Sequence, residues 1–256
     1  MAPDGDLEPV SSFTPPPRAE PDRPTLAERI MALLEVLICS DYPTQLALAA
    51  TFAGFGYGPI GADGKLSLTY VVLVSLTDTV LLLGLIAMFI SVHRERPRDL
   101  FFGGKPIAGE ALAGLPLIFA ALAIGITVLV TIQLVAPRLH TVAENPLQDL
   151  VHTPRDVVLF AIVVFVAGGI REEIQRAFLL RRFERWLGGP TVGIVVTSVS
   201  FGAGHLIQGV DAAIATGALG AFWAYIYLRR RSIAATVVSH SGFNLLELLQ
   251  LLTFGR

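Results

Sequence analysis

The chain reads as an all-α, polytopic membrane bundle of about seven transmembrane helices, preceded by an amphipathic helix. Two observations carry that reading. Apolar residues make up 53% of the sequence and charged residues only 16%, against roughly 45–50% and about 25% in soluble globular chains. The charges also gather in short runs, at His93 to Asp99, Arg171 to Arg185 and Arg229 to Arg231. Several stretches between those runs reach the roughly 20 mostly apolar residues that a spanning helix requires.

Taken in order, residues 1–24 hold much of the proline and almost no apolar run, so they cannot offset the entropy of ordering and read as disordered. They also lack the basic start and apolar core of a signal peptide. From Thr25 to Cys39, Leu26, Ile30, Leu33, Leu34 and Leu37 recur at helical spacing with Glu28, Arg29 and Glu35 between them. That pattern predicts an amphipathic helix that lies on the membrane or leads into the first span. The predicted spans are Gln45 to Tyr57 (short and Gly-rich), Tyr70 to Val92, Ala111 to Ala136, Asp156 to about Trp186, Thr191 to Ile207, Ala212 to Leu228, and Ile233 to Leu252.

If each span crosses once, Arg94, Arg96, Arg98, Lys105, Arg181, Arg182, Arg185 and Arg229 to Arg231 all fall on one side, together with Arg18, Arg23 and Arg29. The opposite loops carry only Lys65, Arg138 and Arg155. The positive-inside rule then places the amino terminus in the cytoplasm and the carboxyl terminus outside. A formal net charge of −2 argues against nucleic acid as a partner. Cys39 is the single cysteine and cannot form an internal disulfide. Arginine far outnumbers lysine and the chain is rich in Ala, Gly and Leu, a composition that points to a GC-rich, bacterial coding sequence and to the bacterial inner membrane.

Ionisable groups at membrane depth are expensive and are functional-site candidates by default. Here they are Glu172 and Glu173 in one span, His205 in the next and His240 in the last. Glu172 and His205 lie about equally far on either side of the Gly188-Gly189-Pro190 break. Two straight helices would carry both roughly 25 Å from the turn, level with each other. His240 and Asn244 are four residues apart and share one helix face. They lie about 12 and 18 Å into a helix starting near Ser232, a somewhat different depth. Arg176 can pair with either glutamate at i+4 or i+3. Singly, each of these residues reads as well as packing or a solvated face; together, on adjacent spans, they outline a polar intramembrane cavity. Asp78 reads as a lone acid packed on a polar neighbour. Trp223, Tyr225 and Tyr227 read as an interfacial aromatic belt, and Ser198, Ser200, Gly202 and Gly204 as small residues that permit close helix contact. Gln208, Asp211 and Glu247 are candidates for the cavity mouth.

At Glu172-Glu173-Ile174-Gln175-Arg176, Phe201-Gly202-Ala203-Gly204-His205 and His240-Ser241-Gly242-Phe243-Asn244, the sequence resembles the CPBP intramembrane protease family, the CAAX-protease and bacteriocin-processing (Abi) group. That family shows Glu-Glu-x-x-x-Arg, Phe-x-x-x-His and His-x-x-x-Asn, each on its own membrane helix. The last two match as written. The family arginine falls four residues after the second glutamate, where this chain has Ala177, so Arg176 arrives one residue early, within about 100° on the helix. The resemblance covers roughly Val157 to Leu252 and divides the chain into the Pro-rich 1–24, N-terminal membrane helices over 25–150 and a CPBP-like catalytic core over 151–256.

The resemblance implies an intramembrane endopeptidase acting on a membrane-associated protein or peptide, with Glu172 as general base, His205 orienting or activating the water, and His240 and Asn244 donating to the oxyanion. Glu173 and Arg176 become supports for Glu172, and Phe201 packs beside the site. Glu172, His205 and His240 are also a three-ligand set suited to catalytic zinc, but no His-Glu-x-x-His helix is present. The metal-free mechanism, with no cofactor, is the favoured of the two. The alternatives are a non-catalytic scaffold or bacteriocin-immunity protein of the same fold, favoured by the arginine spacing, and a proton-coupled transporter, disfavoured because the halves of the chain show no repeat.

Overall fold

The structure, a computed structural model, describes residues 24–61, 64–143 and 145–254. The segment expected to be disordered lies, from residue 1 to 23, outside the described residues. The described residues are all-helical: α1 (Leu26–Ile38), α2 (Tyr42–Gly54), α3 (Leu68–Val92), α4 (Pro97–Phe102), α5 (Ile107–Val135), α6 (Pro154–Phe165), α7 (Glu172–Trp186), α8 (Pro190–Ala203), α9 (Val210–Arg230) and α10 (Ile233–Phe254). A π-helical turn, Val166–Arg171, fuses α6 to α7. Short 3₁₀ turns at Pro137–Leu139 and Pro146–Leu150 form the α5–α6 connection, and another at Leu206–Gln208 links α8 to α9.

Helix α1 begins with a capping box. Thr25 N–H donates to Glu28 Oε2 at 2.8 Å, and Glu28 N–H donates to Thr25 Oγ1 at 3.3 Å. The Thr25 N–H bond, with a second from the Thr25 hydroxyl to the same oxygen at 2.8 Å, holds the Glu28 carboxyl below the usual carboxylate range. Its predicted apolar stripe faces outward: Leu26, Ile30, Leu33, Leu34 and Leu37 are all exposed, while Ala32, Glu35 and Val36 point into the bundle. This is the orientation of a helix resting on an apolar medium.

Among the described residues three segments are long and apolar enough to cross a membrane: α3, the α4–α5 run Pro97–Val135, and α9. Their outer surfaces suit lipid, with Leu112, Phe119, Ile126 and Leu134 exposed along α5. The short first span expected over Gln45 to Tyr57 is the 13-residue α2, which at 1.5 Å per residue reaches about 20 Å against a hydrocarbon core of about 30 Å.

Close helix contact rests on small residues. A Cβ at Gly114 of α5 would lie 2.6 Å from the Ala235 carbonyl of α10, and one at Gly202 of α8 would lie 2.6 Å from the Ala213 carbonyl of α9. The Gly202 contact is what the small-residue reading of α8 anticipates. One apolar cluster joins α1, α3, α4 and α7 through Val36, Leu82, Ile86, Leu100 and Phe178. Another joins α5, α9 and α10 through Ala121, Leu219, Trp223 and Phe243. The aromatic belt is corrected here. Trp223 and Tyr227, four residues apart, lie on the buried face of α9, and Tyr227 donates to the Leu100 carbonyl at 2.8 Å. Only Tyr225 of the three is exposed.

Candidate active site

The site is built around the π turn. Its extra residue per turn opens the backbone ladder, and such turns recur where a helix must redirect side chains. Gly168 and Gly169 sit in it and let α10 close in. A Cβ at Gly168 would lie 2.8 Å from Asn244 Nδ2, and one at Gly169 would collide with the Ser241 hydroxyl. Asn244 Nδ2 donates to the Val164 carbonyl at 3.3 Å, a group from the turn just before the π segment.

Glu172 and Glu173 follow the π turn at the start of α7, about 100° apart around the helix axis. Glu173 turns inward and is buried, with Oε1 2.9 Å from His240 Nδ1 and ion-paired to Arg176. The Arg176 guanidinium in turn lies over the Phe201 ring, 4.8 Å from its centroid. His240 is held from a third direction by Trp223, whose ring stacks on the imidazole at 3.7 Å and 19°. Trp223 Nε1–H donates to Ser239 Oγ at 3.1 Å, which fixes the indole. His240 Nε2 then lies 3.7 Å from Glu172 Oε2. The histidine expected at a somewhat different depth therefore meets both glutamates.

On its other side Glu172 meets Arg171, whose Nη2 is 3.3 Å from Glu172 Oε1. Arg171 is buried, donates to Asp78 Oδ2 of α3 at 2.8 Å and pairs with Asp41, the residue before α2. Asp78, expected to be a lone acid on a polar neighbour, thus finds that neighbour in Arg171. Tyr42, the first residue of α2, donates to the Ser200 carbonyl at 2.6 Å and ties α2 to α8. Arg171 and Asp41 were not among the residues singled out from the sequence. The available signal was an arginine directly after an apolar run of about 14 residues, within the span itself.

His205 Nδ1 lies 2.8 Å from the Phe201 carbonyl of its own helix turn. That bond assigns the proton to Nδ1 and leaves Nε2 as an acceptor. Phe201 packs edge-on to both imidazoles, with ring centroids 4.9 Å from His205 and 6.0 Å from His240. Glu172, His205, His240 and Asn244 line one cavity of about 460 Å³, within the size range of small-ligand pockets. Its far wall is apolar, with Val71, Phe160, Val163, Leu248 and Leu251. Gln208 and Glu247 line it too, whereas Asp211 faces away and meets His140 Nδ1 at 2.7 Å.

The zinc alternative requires three convergent ligands. Among the described residues no group of three His, Cys, Asp or Glu side chains is placed to hold a metal ion. His240 Nδ1 bonds Glu173 and His205 Nδ1 bonds a carbonyl, which leaves Nε2 of each ring as the open nitrogen.

Residues 154–246 match the family model described as Type II CAAX prenyl endopeptidase Rce1-like. The match runs from the start of α6 into α10 and contains all three motifs, while α1 to α5 fall outside it. No curated protein and no solved structure matches the chain. The long apolar helices and this membrane-protease match together identify an integral membrane protein. Its segment 154–246 is similar to the Rce1-like endopeptidases, the CPBP family that the three motifs resemble.

Proposed function

We propose that the protein is an intramembrane endopeptidase that hydrolyses a peptide bond of a membrane-associated protein or peptide with a glutamate-activated water and no metal. One observation carries the reading: Glu172 of α7, His205 of the turn after α8, and His240 and Asn244 of α10 line a single cavity.

In this mechanism a water sits between Glu172 and His205. Its oxygen attacks the scissile carbonyl carbon as one proton passes to Glu172, while the second hydrogen is held by His205 Nε2. The carbonyl oxygen becomes an oxyanion. His240 gives Nδ1–H to Glu173 at 2.9 Å, so donation to the oxyanion from Nε2 requires the imidazolium. Asn244 spends one amide hydrogen on Val164 and keeps the other for the oxyanion. As the intermediate collapses, the C–N bond breaks and Glu172 delivers its proton to the departing amine. General-base catalysis is worth roughly 10²–10⁴-fold, and an oxyanion donor roughly 10²–10³-fold.

The finer topology belongs to the same proposal: about seven crossings with the amino terminus in the cytoplasm of a bacterial inner membrane, N-terminal helices over 25–150 and a catalytic core over 151–256. Processing or clearance of a membrane-bound peptide is the role we assign.

The test compares wild type with Glu172→Gln and His240→Ala in detergent on a quenched-fluorescent peptide library, with and without a zinc chelator. Cleavage by wild type, lost by at least about 100-fold in both variants and indifferent to chelator, is the expected result. Cleavage abolished by the chelator and restored by zinc would sink the metal-free mechanism. A folded wild type that cleaves nothing points instead to a scaffold of the same fold.

A further inference from the structure

A second hollow, of about 530 Å³, opens at the other end of α7. Arg94 and Arg96 from the α3–α4 connection, Arg181 and Arg185 from α7, and Arg231 from the end of α9 all line it. These positions lie nine to thirteen residues along α7 from Glu172, roughly 14–20 Å away, so the hollow is separate from the candidate active site.

A sided distribution of arginine is what membrane topology asks of any such chain. Topology does not ask that five guanidiniums from three distant segments converge on one concavity. The acids present do not balance them. Glu95 is shared by Arg182 and Arg185, at 2.8 and 3.0 Å, and Glu184 is shared by Arg181 and Arg231. Asp99 is the remaining acid in the lining. Arg94 and Arg96 are exposed, and their side chains make no ion pair or hydrogen bond among the described residues. The floor beneath is firm. Arg182 is fully buried, donates to Glu35 at 2.5 Å and packs over Phe178, while His93 meets the same Glu35 at 2.5 Å.

We propose that this hollow binds a phosphate group. Guanidinium pairs are matched to phosphate oxygens in shape and charge, and a phosphate ester carries one to two negative charges, which the two unpaired arginines offset. The hollow lies where α3 and α9, two of the helices long and apolar enough to cross a membrane, come to their ends. That is the level of lipid headgroups, and basic pockets between transmembrane helices take anionic headgroups there. The phosphate of an anionic lipid and free inorganic phosphate share this chemistry.

Native mass spectrometry of the detergent-solubilised full chain, titrated with phosphatidylglycerol or inorganic phosphate, tests the assignment. The double variant Arg94→Ala/Arg96→Ala is compared with Arg98→Ala/Arg229→Ala, which removes the same charge from exposed arginines at the same end that do not line the hollow. Saturable binding by wild type, weakened about tenfold or more in the first double variant and unchanged in the second, supports the site. Displacement of the lipid by equimolar inorganic phosphate makes free phosphate the ligand; retention makes it the lipid. Equal weakening in both double variants, or no saturable binding of either probe, overturns the proposal.

Discussion

Arg171 is the side chain whose removal has the most calculable consequence. It donates to Asp78 at 2.8 Å, pairs with Asp41 and lies 3.3 Å from Glu172, with almost no exposure of its own. Arg171→Met keeps the length and apolar stem but leaves three carboxylates facing one another, two of them, Asp41 before α2 and Asp78 on α3, outside the matched segment. Breaking a buried ion cluster from one side costs about 3–5 kcal/mol, a large part of the roughly 5–15 kcal/mol that holds a folded domain. Asp78→Asn in the same background removes one of the stranded charges. The double variant is therefore expected to lose less than the sum of the single variants, with a coupling of about 1–3 kcal/mol. Reversible unfolding by sodium dodecyl sulfate, followed by circular dichroism, gives each free energy. An Arg171→Met protein within about 1 kcal/mol of wild type, or strictly additive losses, would refute the account of this cluster.

Two further outcomes follow from the packing. Gly169→Ala normally favours a helix by up to about 1 kcal/mol, but here its methyl meets Ser241, so a loss of about 1–3 kcal/mol is expected. Adding Ser241→Gly should restore part of that loss in the same unfolding assay, and a stabilised Gly169→Ala would contradict the helix approach described. Trp223→Phe removes the bond to Ser239 and weakens the stack on His240, with an expected cost of about 1–3 kcal/mol for the hydroxyl left unpartnered. It should also lower kcat on any cleaved peptide more than it raises KM, because a loosened imidazole no longer presents Nε2; an unchanged kcat would contradict that role for the indole.

Much of the site was legible because its parts obey short-range rules. The first and third motifs lie on helices and the second runs off the end of α8 at His205; i to i+4 spacing put His240 with Asn244 on a common face and left His205 one turn on from Phe201. The Arg171 clamp was not legible, since its partners are 93 and 130 residues away and no periodicity links them. Asp78 could be seen as an acid needing a partner, but which partner is a property of packing. The π turn was hidden for a related reason: apolar residues around Gly168 and Gly169 are compatible with an ordinary helix, and only the approach of α10 distinguishes the two. Trp223 and Tyr227 misled because residues near an arginine run suit an interface, although their four-residue spacing is equally that of a buried stripe. The seven expected spans met the same limit, because hydropathy measures apolarity along the chain and cannot fix where α2 stops.

The clamp also bears on how the protein is made. Asp41 and Asp78 leave the ribosome before Arg171, so α2 and α3 can enter the bilayer before the arginine is synthesised. A guanidinium inserted alone at a helix centre costs about 2.5–3.5 kcal/mol on translocon scales; one that arrives beside two waiting carboxylates is met by its counter-ions. Residues 154–246, expressed without the helices that precede them, would carry that charge into lipid with only Glu172 left of its three carboxylate partners. The boundary of the family match and the boundary of the smallest unit able to insert are therefore different places in the chain.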